Sequence, residues 1–311
     1  MPEPLTRKLH GPRRASDRYT VDALERAFNR FSEFTLLGEG GFGSVFSVWD
    51  HVRTQYVALK ITREGGDSGW RKRFVQEYDI LRVVHSPRLV MVYDASVSRI
   101  DVRGGGIVDH LWYTMERCTS CVESELPRLG LADRARLCIE MLDGLAILHE
   151  RNIAHRDLKP KNLFLARDGG LKIGDFGLAK DTSTSATQET PAGKCLGTFE
   201  YLAPERWHGG DEAATDWRPS DQYAAGITIY QLLSRGRDPL DFGERNVFAC
   251  LNAHLHGAMQ PLRVPETSCA SLREIDRVVA RMLAKDPARR HPTIARCKRE
   301  LESAFKLHDL A

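Results

Sequence analysis

The sequence of 311 residues predicts an α+β protein with two lobes, a small β-rich lobe followed by a larger α-helical lobe. Residues 44–49 and 56–61 alternate in polarity and are rich in β-branched and aromatic residues, as strands are. Later segments instead carry apolar residues at helical spacing. These stripes are Leu137, Met141, Leu145 and Leu148, and then Leu272, Ile275, Val279 and Met282. At about 150 residues per domain, the length suits two such lobes.

The charge balance and the apolar patterning of the chain argue against two broad classes of function. Its formal net charge of +3 is too small for the concentrated basic surface of a nucleic-acid-binding protein. The excess lies in residues 1–18, which hold Arg7, Lys8, Arg13, Arg14 and Arg18 against Glu3 and Asp17. No run of about 18 apolar residues occurs, so no membrane span is expected.

Cysteine usage predicts a reducing compartment. The chain has 7 cysteines, an odd number scattered along the sequence, which favours free thiols and a cytoplasmic location. Cys118 and Cys121 are spaced as in a redox or zinc motif, but no second pair follows at zinc-finger spacing. We therefore interpret this pair as structural.

The first segments in chain order are a tail, strands and one helix. Residues 1–30 are interpreted as a basic tail with a short helical lead-in, either flexible or a docking arm. Strands begin near residue 34, and helical spacing of Glu77, Leu81 and Val84 predicts a helix over 70–84. Further strand-like stretches lie at 89–97 and 111–115, and residues 306–311 are a C-terminal tail.

A glycine-rich segment between the first two strands is a candidate phosphate-binding loop. Gly38, Gly40 and Gly43 match G-x-G-x-x-G, a weak signal alone because dinucleotide-binding folds share it. In those folds a helix follows the glycines, whereas here a strand follows from Ser44. The segment is therefore predicted to be a hairpin whose backbone N–H groups can approach phosphates. A plain glycine-rich turn is the alternative.

One lysine in the next strand strengthens the phosphate interpretation. Ala58 and Lys60 share a face of the strand, which would direct the lysine toward nucleotide phosphates. A buried ammonium needs an anionic partner, and Glu77 on the following helix is the best candidate. The alternative is a solvated surface lysine.

The segment from His155 to Gly177 is the richest in candidate catalytic residues. It reads as a loop, a strand, a turn, a second strand and another loop, with Asp157, Asn162 and Asp175 at strand ends. Phosphoryl transfer needs a metal on the phosphates, a carboxylate to orient the attacking hydroxyl and a cation on the transferring group. Asn162 and Asp175 suit the metal, Asp157 the hydroxyl and Lys159 the γ-phosphate.

Taken together, these segments resemble the catalytic domain of eukaryotic-type (Hanks-type) serine/threonine protein kinases. The matching motifs run in family order: LLGEGGFGSV (36–45), VALK (57–60), QEYDIL (76–81), HRDLKPKN (155–162), DFG (175–177), APE (203–205), SDQYAAG (220–226) and DPARR (286–290). The resemblance implies a kinase domain over 34–305. Its N-terminal lobe would span about 34–115, its hinge 116–118 and its C-terminal lobe about 119–305.

The resemblance also implies roles for individual residues. The catalytic set is Asp157 as base with Lys159, Lys60 and Glu77. The nucleotide-binding set is Leu37, Gly38, Glu39, Gly40, Gly41, Phe42, Gly43, Ser44, Val45, Ala58, Lys60, Met115, Glu116, Cys118 and Phe164. Asn162 and Asp175 would bind the metal. Structural roles fall on Arg290 paired with Glu205, on Asp221 gripping the catalytic loop, and on a hydrophobic spine of Leu81, His155 and Phe176.

The implied activity is transfer of the ATP γ-phosphate to serine or threonine hydroxyls of proteins, with Mg²⁺ or Mn²⁺ as its substitute. Lys159 and Thr198 match the serine/threonine pattern, and Thr198 would hydrogen-bond Asp157 and Lys159 and shape the pocket beside the acceptor hydroxyl. Autophosphorylation is expected at Thr187 or Thr190. ATP and protein substrates are the expected partners, together with a docking partner for the N-terminal tail and no nucleic acid. A pseudokinase normally lacks Lys60, Asp157 or Asp175, and a small-molecule phosphotransferase would lack the APE segment, so both alternatives are disfavoured.

Overall fold

The computed structural model describes residues 18–40, 43–62, 75, 78–176, 180–181, 196–207, 216–266 and 272–307. The chain divides into two compact units. The first holds the chain up to Phe74 together with Val92–Arg117, and the second holds Val75–Met91 and the chain from Cys118 onward. Residues 75–91 thus group with the second unit, and not with the N-terminal lobe as predicted from the sequence.

The first unit is built on a five-stranded antiparallel sheet of order β1-β2-β3-β5-β4. Its strands are β1 (Phe31–Gly40), β2 (Gly43–Asp50), β3 (Gln55–Thr62), β4 (Val92–Val102) and β5 (Gly106–Glu116). The predicted strands at 44–49 and 56–61 are confirmed as β2 and β3. Because β1 pairs with β2 up to Gly40 opposite Gly43, the glycine-rich segment is a hairpin and opens no helix.

The helical lead-in predicted before this sheet is confirmed, but it packs into the core of the sheet, which corrects the prediction of a flexible or docking arm for residues 18–30. Helix α1 (Val21–Ala27) follows Tyr19, and Tyr19, Leu24 and Phe28 are all buried. Phe28 packs edge-on against Trp112 with ring centroids 5.6 Å apart. Burial of three such side chains offsets the cost of ordering so short a helix, which would be marginal alone. Residues 1–17, the proposed docking segment, lie outside the described part of the chain.

Replacing Thr20 by alanine is expected to lower the free energy of unfolding by about 0.5–2 kcal/mol. The Thr20 hydroxyl accepts a hydrogen bond from the backbone N–H of Ala23 at 3.1 Å and so caps α1. Thermal unfolding of the alanine variant measures the loss, and Thr20→Ser, which keeps the hydroxyl, is the matched control. Equal stability of Thr20→Ala and wild type would contradict an energetic role for the cap.

The second unit is mainly helical. Its helices are α2 (Val122–Glu125), α3 (Leu131–His149), α4 (Arg218–Leu233), α5 (Val247–His256), α6 (Arg273–Met282) and α7 (Ile294–Leu307), and residues 78–83 are also helical. Both predicted apolar stripes are buried, one on α3 and one along α6. Most of α4 is buried as well, so this helix forms the centre of the unit's core.

Short strands of the second unit carry the loops of interest. They are β6 (Ser120–Cys121), β7 (Ile153–Ala154), β8 (Leu163–Leu165), β9 (Leu171–Ile173) and β10 (Lys180–Asp181). Strand β8 pairs with β6 and β9, and β10 pairs with β7. Short 3₁₀ turns lie at Pro160–Asn162, Leu196–Tyr201, Pro204–Arg206 and Pro287–Arg289. Within the described ranges, every helix is too short or too polar to cross a bilayer.

Candidate active site

The glycine hairpin of the first unit has one position where the backbone of the neighbouring strand leaves no room for a side chain. Gly43 has φ +149°, and a Cβ there would lie 2.1 Å from the backbone oxygen of Ile61 on the neighbouring strand. Only glycine fits this site, because any side chain would collide with β3. Across the hairpin, the Ser44 hydroxyl donates to the Glu39 carboxylate at 2.9 Å. The hairpin is therefore held in register from both strands.

Strand β3 buries the predicted lysine. Lys60 is only 6% exposed, and its Nζ lies 5.7 Å from the ring centroid of Tyr113 on β5. Ala58, two residues earlier, is buried opposite Met115. Because β3 side chains alternate, Ala58 and Lys60 lie on the face opposite Leu59, which fills the sheet core with α1. The alternative of a solvated surface lysine is excluded.

The other predicted nucleotide-binding residues fall in both units. In the first unit, Leu37 is half exposed on β1, Val45 is partly buried on β2, and Glu116 ends β5. Cys118 and Phe164, both partly buried, belong to the second unit. Gly41, Phe42 and Glu77 lie outside the described residues, so the pairing of Lys60 with Glu77 stays a prediction.

The catalytic-loop candidates of the second unit converge on Asp157. Lys159 Nζ lies 3.0 and 2.9 Å from the two carboxylate oxygens of Asp157. The Asn162 amide donates to the backbone oxygen of Asp157 at 2.8 Å and to its Oδ2 at 3.1 Å. These bonds fix the carboxylate against the loop, and the spacing of one motif thus brings three predicted residues together.

The loop before Asp157 is anchored by a single buried carboxylate. Asp221 on α4 is 1% exposed and accepts the backbone N–H groups of His155 and Arg156, each at 2.8 Å. It also accepts the Nε2–H of His149 at 2.9 Å. Arg156 has φ +69°, a conformation that costs energy in a non-glycine residue and needs such support. The implied grip of Asp221 on the catalytic loop is confirmed.

The β8–β9 hairpin places Asn162 and Asp175 at the same end of the pair. Leu163 pairs with Ile173, and the Gly174 N–H donates to the backbone oxygen of Asn162 at 3.0 Å, so the loops that carry Asn162 and Asp175 are joined. Both N–H donors of the Asn162 amide point to Asp157, which leaves its Oδ1 as the oxygen suited to a cation. Asp175 is exposed at φ +60°.

This oxygen pair fits a metal that arrives with phosphate ligands. Mg²⁺ takes one or two protein oxygens and completes its shell with phosphates and water. No group of three or more His, Cys, Asp or Glu side chains suited to a metal occurs among the described residues. A donor set of Asn162 and Asp175 is thus compatible with Mg²⁺ bound to a nucleotide, and unlike a closed structural zinc site.

An ion pair holds the segment that follows the site. Arg290 donates to both carboxylate oxygens of Glu205 at 2.7 Å, and its side chain is 1% exposed. Burial alone would raise the pKa of Glu205, but the hydrogen bonds and charge of Arg290 outweigh it and hold the pKa below its usual 4.5. Ser220 donates to the same carboxylate at 2.9 Å. The implied pairing of Arg290 with Glu205 is confirmed.

A cation–π stack that had no signal in the sequence adjoins the catalytic loop. The guanidinium carbons of Arg156 and Arg206 lie 3.8 and 4.1 Å from the centroid of the buried Trp217 ring. Burial, together with the positive charges of Arg156 and Arg290, lowers the pKa of Arg206. The indole offsets this repulsion through its negative face. The stack fixes the side chain that directly precedes Asp157.

Of the implied hydrophobic spine, His155 and Phe176 are in contact. Both are buried, and their ring centroids lie 5.0 Å apart with planes at 61°. His155 Nε2–H donates to the Gly174 oxygen at 3.1 Å, so its Nδ1 accepts the Asp157 N–H at 3.3 Å. The imidazole therefore ties Asp157 to the loop that holds Asp175.

Comparisons with known proteins agree with this geometry. Residues 31–301 match the family model described as the protein kinase domain. A probable serine/threonine-protein kinase of Corynebacterium efficiens is 32% identical over an alignment of 284 residues that covers 88% of this chain and 41% of that protein. The serine/threonine-protein kinase PrkC of Bacillus subtilis is 29% identical over 90% of this chain and 41% of its own length. The serine/threonine-protein kinase PksC of Streptomyces coelicolor is 31% identical, with coverages of 89% and 49%. This chain thus spans less than half the length of these relatives.

Proposed function

The chain belongs to the protein kinase family, and from this membership we propose that it transfers the γ-phosphate of ATP to serine and threonine hydroxyls of proteins. The observation that carries the proposal is the carboxylate of Asp157 in the loop before β8, which accepts hydrogen bonds from Lys159 and Asn162. The names of the relatives support serine/threonine rather than tyrosine acceptors.

In the proposed reaction the acceptor oxygen forms a bond to the γ-phosphorus while the bond from that phosphorus to the β–γ bridging oxygen of ATP breaks. The acceptor proton passes to the Asp157 carboxylate, and ADP leaves with the bridging oxygen. Lys159 supplies a positive charge to the transferring group, as phosphoryl transfer requires. Lys60 would hold the nucleotide phosphates, and the backbone of the glycine hairpin would cover them.

Asn162 and Asp175 would hold Mg²⁺, or Mn²⁺ in its place, which neutralises the negative charge of the phosphate oxygens. The remaining nucleotide contacts are proposed from the resemblance at Leu37, Ala58, Met115, Glu116, Cys118 and Phe164. The partially buried apolar members of this set would accept the adenine ring. The backbone at 116–118, where β5 ends, would bind the polar edge of the ring. We also propose the cytoplasm as the location, because ATP and reduced cysteines are both found there.

The proposal is tested by incubating the protein with Mg²⁺ and ATP labelled at the γ-phosphate, with myelin basic protein as a general acceptor. Acid hydrolysis of the labelled acceptor is expected to yield phosphoserine and phosphothreonine. Label only on tyrosine, or none on the acceptor or the kinase, would refute the proposal. Chelation of the divalent metal should abolish labelling and added Mn²⁺ should restore it.

Autophosphorylation is proposed for the segment between Asp175 and Glu205. The sequence there holds a cluster of hydroxyl residues, Thr182, Ser183, Thr184, Ser185, Thr187 and Thr190, all outside the described residues. A phosphate at Thr187 or Thr190 would supply the negative charge that arginines near the catalytic loop can bind. Peptide mass spectrometry after incubation with Mg²⁺ and ATP is expected to find it, and an unmodified segment 181–198 would contradict it.

A further inference from the structure

A buried histidine on α5 links two parts of the second unit through both of its ring nitrogens. His254 has no exposed surface. Its Nδ1 lies 2.9 Å from the hydroxyl oxygen of Tyr223 on α4, and its Nε2 lies 2.9 Å from the backbone oxygen of Phe199. Neither nitrogen faces solvent, so the imidazole serves as a bridge between the two partners.

The chemistry of these partners determines the tautomer of His254. A carbonyl oxygen can only accept, so Nε2 must carry the proton that is donated to Phe199. Nδ1 is then unprotonated and accepts the Tyr223 O–H. Burial lowers the pKa of His254 to about 4, despite the opposing effect of the Phe199 carbonyl, so the ring is neutral near pH 7. A single protonation state therefore satisfies both bonds.

The residue that His254 holds lies in a turn that the resemblance places beside the acceptor hydroxyl. Phe199 is part of the 3₁₀ turn Leu196–Tyr201, and it directly follows Thr198, which the resemblance places beside the acceptor hydroxyl. The Phe199 ring stacks on Trp207 with centroids 5.5 Å apart, and Trp207 packs against the His254 ring at 6.0 Å. His254 thus supports both the backbone and the side chain of Phe199.

Two further contacts fix the same turn. Arg245 forms an ion pair with Glu200 at 2.6 Å, and the Tyr201 hydroxyl donates to Gln231 at 2.8 Å. The Arg245 side chain is 54% exposed, so this ion pair is a weak constraint in salt. The buried bond from His254 is the stronger one, because an unsatisfied buried carbonyl is costly.

The opposite end of this bridge reaches the ion pair that anchors the segment 203–205. Tyr223 lies with its ring 5.0 Å from the guanidinium carbon of Arg290, which binds Glu205. The positions of the turn and of Glu205 are therefore connected through Tyr223 and His254.

We propose that His254 is a positioning residue that, as the Nε2–H tautomer, holds the Phe199 carbonyl and thereby sets the turn that receives the protein acceptor. This inference rests on the proposed kinase function and assigns His254 no contact with ATP or with the reacting atoms. Its loss should therefore weaken use of the protein acceptor and leave use of ATP unchanged.

The test compares two amide replacements that each keep one of the two bonds. In His254→Gln the amide nitrogen reaches the place of Nε2 and can donate to Phe199. In His254→Asn the shorter side chain matches Nδ1 and leaves Phe199 without its donor. With myelin basic protein as acceptor, the asparagine variant is expected to raise the acceptor KM about tenfold, as the loss of one buried hydrogen bond would. The glutamine variant should stay within about threefold of wild type.

The KM for ATP and the rate of ATP hydrolysis without acceptor are expected to stay within about twofold in both variants. An unchanged acceptor KM in His254→Asn, or an equal rise in both KM values, would overturn the positioning role. Tyr223→Phe, which removes only the hydroxyl, should raise the acceptor KM less than His254→Asn does, because the bond to Phe199 remains.

A readout independent of activity separates this inference from the proposed function. Hydrogen exchange of a peptide covering 196–202 should be faster in His254→Asn than in His254→Gln, since only the asparagine variant releases the turn. Equal exchange in the two variants would refute the tether even if the protein is an active kinase. If wild type labels no acceptor while the exchange rates differ, the proposed function fails and the tether stands without its assigned role in acceptor binding.

Discussion

Replacing Asp157 by asparagine is expected to slow phosphoryl transfer by about 10²–10⁴-fold, the usual contribution of a positioned general base. An amide cannot take the acceptor proton, although its size matches that of the carboxylate. The two donors aimed at Asp157, from Lys159 at 2.9 Å and Asn162 at 3.1 Å, show that the native loop is arranged around an anionic acceptor. Initial rates of label transfer to myelin basic protein at saturating ATP measure the change.

A matched control separates the chemistry from a general change in charge. Asp168 lies in the exposed turn of the β8–β9 hairpin, where its carboxylate accepts the Gly170 N–H at 3.0 Å. Asp168→Asn removes the same charge from the same unit and should retain the wild-type rate. Wild-type transfer by Asp157→Asn would exclude Asp157 as the base. An equal loss in both variants would indicate an electrostatic effect rather than base catalysis.

The second large effect is expected on stability, where Arg290→Ala should lower the free energy of unfolding by about 3–5 kcal/mol. Arg290 makes two bonds to Glu205 at 2.7 Å and also donates to the backbone oxygens of Pro219 and Ala284 at 2.7 and 2.9 Å. Its removal leaves a largely buried carboxylate and two carbonyls without these donors. Urea unfolding followed by circular dichroism measures the loss.

Two comparisons sharpen this second prediction. Arg290→Lys keeps the charge but cannot bind both carboxylate oxygens in a fork, so it should recover only part of the stability. The pH dependence of the stability difference between wild type and Arg290→Ala tests the prediction independently. Because the folded-state pKa of Glu205 is lower than 4.5, its contribution is complete above pH 4.5 and is lost as the pH falls below that value. The gap between wild type and Arg290→Ala should therefore narrow in acid, and a loss under 1 kcal/mol at neutral pH would contradict the prediction.

The local features of the fold could be predicted from the sequence because they depend on short-range periodicity. Alternation in β2 and β3 and the stripes on α3 and α6 are set by residues two to four positions apart. The contacts of the catalytic loop could also be predicted from the sequence, because Asp157, Lys159 and Asn162 lie within six consecutive residues. The ion pair between Arg290 and Glu205 could be predicted only from the family resemblance, because the two residues are 85 positions apart in the chain.

Other contacts had no signal in the sequence. The stack of Trp217 on Arg156 joins a helix start to a loop 61 positions earlier, and no spacing rule connects them. His254 and Phe199 are 55 positions apart, and one partner is a backbone carbonyl, which any residue could supply. His149, which donates to Asp221, ends an apolar stripe and resembles an ordinary helix-end histidine. Such contacts follow from tertiary packing alone.

The wrong prediction of a flexible or docking arm for residues 18–30 has a different physical origin. Helix α1 is 7 residues long, too short to display a periodic apolar face, and charged residues stand between the buried ones. Leu24 and Phe28, four positions apart, are the pair that enters the core. Their spacing was the available signal, and the surrounding charge concealed it.

Because of this short helix, the folded unit begins earlier in the chain than the family match does. The family match begins at Phe31, whereas the aromatic cluster around Phe31, Phe34 and Trp112 is completed by Phe28 from outside the match. A chain trimmed to the matched boundary would present those rings to water as a continuous apolar surface, the kind that drives aggregation. A fragment that begins at the first residue of the family match is therefore expected to be less soluble than one that includes α1. The residues before the match cover apolar side chains of the sheet.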